Sequence, residues 1–181
     1  MKKRAYILSV LVLLLLTLVS TASTGGTFAV ARSAGSAAAD QAAPAETYTV
    51  YLKAFHTDGN GFSVTTDPID WYEGKAADAM FAKEDPESYR EIGGAPDGYY
   101  IVNDSDNTIT YPVAADASVK VQLFDHTGDP ADLDIQWNEP VNLGTFIGQF
   151  ASSDVIDLGA FPYHITVQNG QIISIVQQYV P

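Results

Sequence analysis

The stretch PYHITVQNGQIISIVQQYVP (residues 162–181) decides the fold that this sequence predicts. Two apolar-rich runs flank Asn169 and Gly170, and a two-residue Asn-Gly loop between such runs is typical of a tight β-hairpin. The loop length also predicts which residues of the two strands face each other: Gln168 and Gln171, Val167 and Ile172, and Ile165 and Ser174.

The second strand of this hairpin is apolar on both faces, through Ile172, Ile173, Ile175 and Val176. A strand with two apolar faces is usually covered on both sides. We therefore expect the hairpin to lie inside the architecture rather than at a frayed edge. Its last strand is expected to close a small β-barrel.

The first strands of the domain are predicted by alternation of apolar and polar residues. Residues 47–55 (TYTVYLKAF) alternate, residues 58–61 (DGNG) have the chemistry of a turn, and residues 62–66 alternate again. The segment 47–66 is therefore a hairpin or one long bent strand. The same pattern predicts three more strands: 99–102, 108–113 and 119–124.

Two helices are predicted by apolar residues spaced three and four apart. The first is short and covers residues 75–84 (KAADAMFAKE). The second covers 143–150, where two phenylalanines, a leucine and an isoleucine share one face and Asn142 is a suitable N-cap. Residues 85–98, with two prolines and three glycines, are predicted to form a loop.

The fold class follows from the order of these elements. If 47–66 and 99–113 each count as one bent strand, the chain has five strands with a helix between the third and fourth, which is the order of an OB-type barrel. The prediction is a β-rich α+β fold: a small five-stranded OB-like barrel, or a strongly bent antiparallel sheet, with one or two short helices. A true hairpin in either segment would raise the strand count. An open α+β sheet with both helices on one face is the alternative.

The N-terminal residues predict export. Residues 1–4 (MKKR) are cationic, residues 5–19 form an uncharged apolar run, and small residues follow at 20–22, as in a secretory signal. The same segment could remain as a membrane anchor. We expect residues 1–22 to be a signal peptide or anchor, 23–46 a flexible Ala/Ser/Gly linker, and 47–181 a single β-rich domain that is secreted or extracytoplasmic.

The charge of the chain limits its partners. Without residues 1–22 it carries six basic and 22 acidic side chains, a net charge of −16. Nucleic acid binding needs cationic side chains that displace phosphate counterions, so nucleic acid is not an expected partner. Contact with a membrane is expected only through an uncleaved N-terminal segment. The chain has no cysteine, which excludes thiol chemistry and disulfides.

Several short blocks resemble a group of uncharacterised exported bacterial domains. They are DPIDWYEG (67–74), GYYIVN (98–103), YPV (111–113), PYHITV (162–167) and QYVP (178–181). The resemblance covers most of 47–181 and implies a bacterial exported domain. It implies no activity and no site residues.

Catalytic motifs are recognised by their nucleophiles and bases. The sequence has no Gly-x-Ser-x-Gly motif, and His56, His126 and His164 are isolated from one another, without the spacing of a zinc site. We therefore predict no catalytic residue. A small secreted hydrolase that uses carboxylates or a histidine is kept as an alternative, because such sites form in space rather than in sequence.

One acidic segment is a candidate for calcium, the single cofactor considered. Asp125, Asp129, Asp132 and Asp134 lie within ten residues and could supply oxygen ligands. Their spacing does not match an EF-hand, so a solvated acidic loop is the competing interpretation. Calcium here would stabilise a structural module rather than catalyse.

The aromatic residues Trp71, Tyr72, Tyr99, Tyr100 and Trp137 are the candidate binding residues. Exposed aromatic rings can stack on sugars or insert into a protein partner, and the same rings can instead fill a core. The sequence therefore predicts a non-catalytic binding or interaction domain of the bacterial cell envelope or exterior. Its partner would be a protein, a peptide or a glycan.

Overall fold

The computed structural model describes residues 43–59, 61–152 and 154–181. In these residues the chain forms the strands β1 (Glu46–Thr57), β2 (Phe62–Pro68), β3 (Asp70–Glu73), β4 (Tyr99–Val102), β5 (Ile109–Val121), β6 (Glu139–Val141), β7 (Pro162–Gln168) and β8 (Gln171–Gln177). The α-helices are α1 (Lys75–Glu84), α2 (Pro86–Ile92) and α3 (Leu143–Ser152). No helix in the described ranges is long and apolar enough to cross a membrane. The predicted signal segment, and the linker up to residue 42, lie outside those ranges.

Five strands form a closed barrel in the order β1-β2-β5-β8-β7, with β7 pairing back to β1. Neighbouring strands are antiparallel except β5 and β8, which are parallel. In chain order, α3 lies between the third and fourth strands of this ring. The β-rich α+β fold with an OB-like barrel is thereby confirmed.

Two long strands bend so that the barrel can close. The first half of β1 pairs with β7 and the second half with β2, and the pairing with β2 has an irregularity at Lys53. In the same way β5 pairs first with β2 and then with β8, and its register with β8 shifts between Val113 and Ser118. Extra residues at such bulges increase the local bend and twist of a strand.

The β7–β8 hairpin follows the predicted register only near its turn. Val167 faces Ile172 as expected, but a bulge then places Ile165 opposite Ile175 instead of Ser174. The bulge lies at Ile173 and reverses the alternation along β8. As a result, Ile172 and Ile175 both point into the barrel, where both are fully buried.

Helix α3 covers one end of the barrel. Its Phe146 is completely buried and contacts Phe55 of β1, Phe150 of the same helix and Tyr163 of β7, with ring centroids about 6 Å apart. The predicted N-cap is confirmed, because Asn142 Oδ1 accepts the backbone N–H of Gly144 at 2.9 Å. The described barrel is thus filled by apolar side chains and sealed by one amphipathic helix.

The individual strands differ from those predicted, although their number in the barrel is the same. The segment 47–66 is a true hairpin, β1–β2, which raises the count by one. The predicted strands 108–113 and 119–124 are two halves of β5, which lowers it by one. The predicted strand 99–102 is β4, which pairs with β3 in a separate two-stranded sheet outside the ring. Strand β3 was not predicted, because it is only four residues long and begins two residues after the end of β2.

An excursion from the barrel, residues 69–108, carries β3, α1, α2 and β4. Helix α1 matches its prediction, but the predicted loop 85–98 contains α2. Asp85 caps α2 by accepting the N–H of Ser88 at 3.0 Å, and Pro86 at the first helical position needs no N–H partner. Gly93 ends the helix in a left-handed conformation. Pro86 and Gly93, which disfavour the interior of a helix, therefore mark the two ends of α2 instead of preventing it.

Candidate binding surfaces

The five predicted aromatic residues lie in three places. Trp71 and Tyr99 share one face of the β3–β4 sheet, while Tyr72 and Tyr100 share the opposite face. Trp137 lies elsewhere, in the loop that precedes β6. The structure therefore does not bring all five together into one site.

The rings of Trp71 and Tyr99 are stacked on each other. Their centroids are 4.7 Å apart and their planes differ by 9°. The Trp71 indole N–H also donates to Glu73 Oε1 at 2.8 Å. Both residues are half-buried, so part of the surface of each ring is already covered by the protein and is not available to a ligand.

Tyr72 and Tyr100 are directly opposite each other on the face that turns toward α1. The ring of Tyr100 lies 5.6 Å from that of Phe81, which is buried in α1 and also contacts Tyr89 of α2. Tyr100 therefore belongs to the small core of the excursion, which is the alternative role that the sequence left open for these aromatics.

Trp137 is the most exposed large apolar residue described, with 67% of its surface accessible. Within the described residues its one ring contact is a T-shaped one with Tyr179, with centroids 5.6 Å apart and planes at 75°. Ile135, two residues earlier, is also exposed. We call the residues Ile135, Trp137 and Tyr179 the Trp137 surface.

The loop that carries Trp137, residues 122–138, is attached to the barrel by two buried glutamines. Gln177, at the end of β8, accepts the backbone N–H of Gln122 at 2.7 Å and of Leu123 at 2.9 Å through its Oε1. In return Gln122 Nε2 donates to the backbone carbonyl of Gln177 at 2.9 Å. We call Gln122 and Gln177 the glutamine pair.

The same pair holds the far end of the loop. Gln122 Oε1 accepts the backbone N–H of Asn138 at 2.8 Å, and the Gln122 carbonyl accepts that of Gln136 at 2.9 Å. Trp137 therefore lies between two residues whose backbones are fixed to the barrel. Sequence reasoning missed both glutamines, because a polar residue beside a strand end usually faces water.

The acidic side chains of this loop mostly bond to the loop itself. Asp125 is buried, and its Oδ1 accepts the backbone N–H of Thr127 at 3.0 Å and of Gly128 at 2.6 Å. Asp129 Oδ1 accepts the N–H of Ala131 at 2.9 Å. These two carboxylates shape the turns of the loop.

The remaining two predicted calcium ligands are exposed. Asp132 accepts the hydroxyl of Thr127 at 3.1 Å, and Asp134 lies at the surface two residues later. In the part of the chain that the structure describes, no three His, Asp or Glu side chains form a group that could hold a metal ion. Calcium binding by Asp125, Asp129, Asp132 and Asp134 stays a prediction.

Two of the histidines bond to polar side chains of neighbouring strands. His56 Nε2 lies 3.1 Å from Thr65 Oγ1. His164 lies between Thr49 and Gln178, with Nδ1 3.1 Å from the Thr49 hydroxyl and Nε2 3.0 Å from Gln178 Oε1. With both ring nitrogens engaged, His164 is placed to stabilise strand pairing.

The third histidine, His126, has a carboxylate partner. Its Nε2 is 3.0 Å from Glu139 Oε1, and 46% of the histidine side chain is exposed against 21% of the glutamate. The imidazole also meets Phe124 edge-on at 5.3 Å. A histidine held by a carboxylate is one part of a general-base arrangement.

A buried carboxylate stands between the barrel and the excursion. Asp67, at 6% exposure, pairs through Oδ2 with Lys53 at 3.1 Å and with the amide of Asn103 at 3.2 Å. Within the described residues its Oδ1 has no hydrogen-bond partner and no contact with solvent. The closed surroundings leave this oxygen out of reach of a ligand.

The cavities of the domain are modest. Five of them, in the described residues, have volumes between about 150 and 330 Å³, at or below the low end of the range for small-molecule sites, about 300–1,000 Å³. None of these five is lined by a histidine. The Trp137 surface also lies outside them, on the exterior of the domain.

Comparison of the chain with protein-family models, with curated proteins and with solved structures gave no match. The resemblance to exported bacterial domains therefore rests on the sequence blocks alone. Function has to be argued from the surfaces described above.

Proposed function

We propose that this chain is an exported, non-catalytic binding domain of the bacterial cell envelope or exterior, which takes a protein, peptide or glycan ligand on the Trp137 surface. The observation that carries this proposal is the exposure of Trp137 on a loop anchored immediately before and after it. Export rests on the pattern of residues 1–22.

Exposure of a large aromatic ring has a cost that binding removes. Tryptophan and tyrosine are enriched at the energetic centres of interfaces, because they bury a large area with few rotatable bonds. Because its neighbours Gln136 and Asn138 are hydrogen-bonded to Gln122 through their backbone N–H groups, Trp137 loses little further backbone freedom when a ligand covers it. The Trp137 surface is thus prepared for binding before the ligand arrives.

The Trp71–Tyr99 face is the weaker candidate among the predicted binding residues. Its two rings are stacked on each other and half-buried, so a ligand would remove less apolar area from water there. We expect any contribution of this face to binding to be smaller than that of Trp137.

A second candidate function, a small hydrolase, is favoured by one observation, the contact of His126 with Glu139 at 3.0 Å. A base of this kind needs a nucleophile or water within hydrogen-bond reach and a substrate cleft around it. His126 is nearly half exposed and lines none of the five cavities. We therefore rank this candidate below binding.

The test combines binding and turnover on the same protein. The purified full chain, Trp137→Ala and the matched control Ile92→Ala, whose residue is 60% exposed on α2, are titrated against envelope glycan fragments and against pools of basic, neutral and acidic peptides. We expect at least one ligand class to bind the parent and Ile92→Ala equally, and Trp137→Ala more weakly.

The turnover arm uses ester, peptide and glycan substrates with His126→Ala and Glu139→Gln as variants. We expect no turnover by the parent. Hydrolysis that both variants abolish would overturn the proposal in favour of the hydrolase. Ligand binding that is equal in the parent and in Trp137→Ala would overturn the placement of the site.

A further inference from the structure

We infer that the ligand of the Trp137 surface is a basic segment of a protein, with a lysine or arginine side chain lying on the exposed face of the indole. This inference rests on the proposed function and adds the chemistry of the partner. It is carried by the negative charge of the loop that presents an exposed aromatic ring.

The loop that presents Trp137 is uniformly anionic. Residues 122–138 contain four aspartates and no lysine or arginine. Three of those carboxylates, Asp129, Asp132 and Asp134, are exposed, and the fourth is buried in the turn that begins the loop. His126, the one side chain of the loop that could carry a positive charge, is paired with Glu139.

The domain as a whole carries charge of the same sign. From residue 43 to the end of the sequence there are five basic and 21 acidic side chains, a net charge of −16. A potential of one sign over a surface raises the local concentration of ligands of the opposite sign and speeds their association. An anionic glycan or an acidic peptide is repelled by the same field.

Tryptophan is the aromatic residue that binds cations best, because the face of its π-system is negative. The edge-on contact with Tyr179 holds the ring of Trp137 while 67% of the residue stays accessible. Ile135 adds exposed apolar area next to it along the chain, which suits the methylene groups of a lysine or arginine side chain. A cation with an aliphatic stem therefore complements both parts of the surface.

A neutral sugar would also stack on an indole, but charge would not select it. The choice between the two ligands rests on the exposed carboxylates, which a neutral sugar does not need and a basic segment does. The two ligands consequently differ in their response to salt, because exposed charge pairs are screened within about 8 Å at physiological ionic strength.

The experiment titrates the full chain with four probes at low and high salt. The probes are a ten-residue peptide of alternating lysine and glycine, its arginine and glutamate counterparts, and a neutral glucan hexasaccharide. The variants are Trp137→Ala, the triple variant Asp129→Asn, Asp132→Asn and Asp134→Asn, and the control Ile92→Ala. Thermal unfolding of each variant verifies that it is folded.

We expect the lysine and arginine peptides to bind and the glutamate peptide and the hexasaccharide not to bind. Trp137→Ala should weaken the binding of the basic peptides by about two- to thirty-fold, the range of a cation–π contact. The triple variant should weaken it further and reduce its salt dependence, and Ile92→Ala should leave it unchanged.

Three outcomes would overturn the inference. Trp137-dependent binding of the hexasaccharide in place of the basic peptides would retain the proposed function with a different ligand. Basic-peptide binding that Trp137→Ala leaves unchanged would be non-specific attraction to a charged protein. The third outcome is that none of the four probes binds, although a ligand from the pools of the previous experiment still binds in a Trp137-dependent way. That result would reject a basic segment as the ligand and would retain the proposed binding function.

Discussion

The β7–β8 hairpin and the 122–138 loop meet at Gln177, yet they are held in place by different interactions. The hairpin is held by apolar side chains such as Ile165 and Ile175, which are completely buried inside the barrel. The loop buries Phe124 in the same core, and its two ends are fixed by the amide groups of the glutamine pair. The scaffold therefore follows from apolar pattern, whereas the position of the Trp137 surface also depends on a few buried polar bonds.

The two kinds of interaction respond differently to mutation. Removal of a buried apolar side chain loses its transfer free energy and leaves a cavity. Removal of one partner from a buried hydrogen bond leaves the other partner with neither water nor a protein group to bond to. The free energy of unfolding then falls by the desolvation penalty of that group. Variants in the hairpin core and in the glutamine pair therefore test the apolar and the polar interactions separately.

The largest effect is expected for Phe146→Ala in α3. The ring is completely buried against Phe55, Phe150 and Tyr163, so its loss should lower the free energy of unfolding by about 3–5 kcal/mol. Urea unfolding measures this change. Ile92→Ala, an exposed residue of α2, is the control and should stay within about 0.5 kcal/mol of the parent. Equal losses in the two variants would show that α3 does not seal the barrel.

The next largest effect is expected for Gln177→Ala. Two donors, the buried N–H of Gln122 and the partly buried N–H of Leu123, would lose their acceptor, at a cost of about 1–3 kcal/mol. Gln177→Ala and Gln122→Ala should also be non-additive in the double variant, because the two side chains belong to one network. Additive effects would mean that the loop does not depend on the pair.

A smaller effect with a distinct pH dependence is expected for Tyr163→Phe. The Tyr163 hydroxyl donates to the Leu158 carbonyl at 2.8 Å, so its loss should cost about 1 kcal/mol at neutral pH. Burial raises the pKa of Tyr163 above its ordinary value. The folded state therefore retains this proton longer than the unfolded state, and stability should fall as the pH rises above about 10.

The alkaline slope of stability checks this assignment. Stability curves of the parent and of Tyr163→Phe, measured by urea unfolding between pH 8 and 11 or so, should converge at the alkaline end, since phenylalanine removes the share of the slope that belongs to Tyr163. Parallel curves over that range would contradict the role given to burial of the phenol.

The smallest effect is expected for calcium. The carboxylate oxygens of Asp125 and Asp129 already accept backbone N–H groups, so the loop needs no cation to be ordered. The midpoint of thermal unfolding should be the same with millimolar calcium and with a chelator. A higher midpoint in calcium, lost in the triple variant of Asp129, Asp132 and Asp134, would instead establish the metal site.

The sequence predicted those parts of the fold that apolar periodicity determines. Alternation located the barrel strands, and the spacing of Leu143, Phe146, Ile147 and Phe150 located α3 with its cap. The five-stranded count is correct although 47–66 is two strands, because β5 is divided between the predicted strands 99–113 and 119–124. The two errors cancel in the count. Alternation of apolar and polar residues therefore locates strands better than it predicts which strands pair with each other.

The rest depends on interactions between residues far apart in sequence. The bulge at Ile173 turns Gln177 toward the interior, where it meets Gln122, 55 residues away. No local pattern marks a glutamine as a buried partner. The sequence did identify Trp137 as a candidate, but only the structure separates it from Trp71, whose ring is stacked on Tyr99.

We infer that the barrel holds Trp137 rigid and exposed through the glutamine pair. The chain has two tryptophans, so in Trp71→Phe the fluorescence anisotropy decay reports Trp137 alone. We predict a single slow decay that follows tumbling of the whole domain, and an added nanosecond component when Gln177→Ala is combined with Trp71→Phe. A nanosecond component of the same size already present in Trp71→Phe, and unchanged by Gln177→Ala, would contradict the claim.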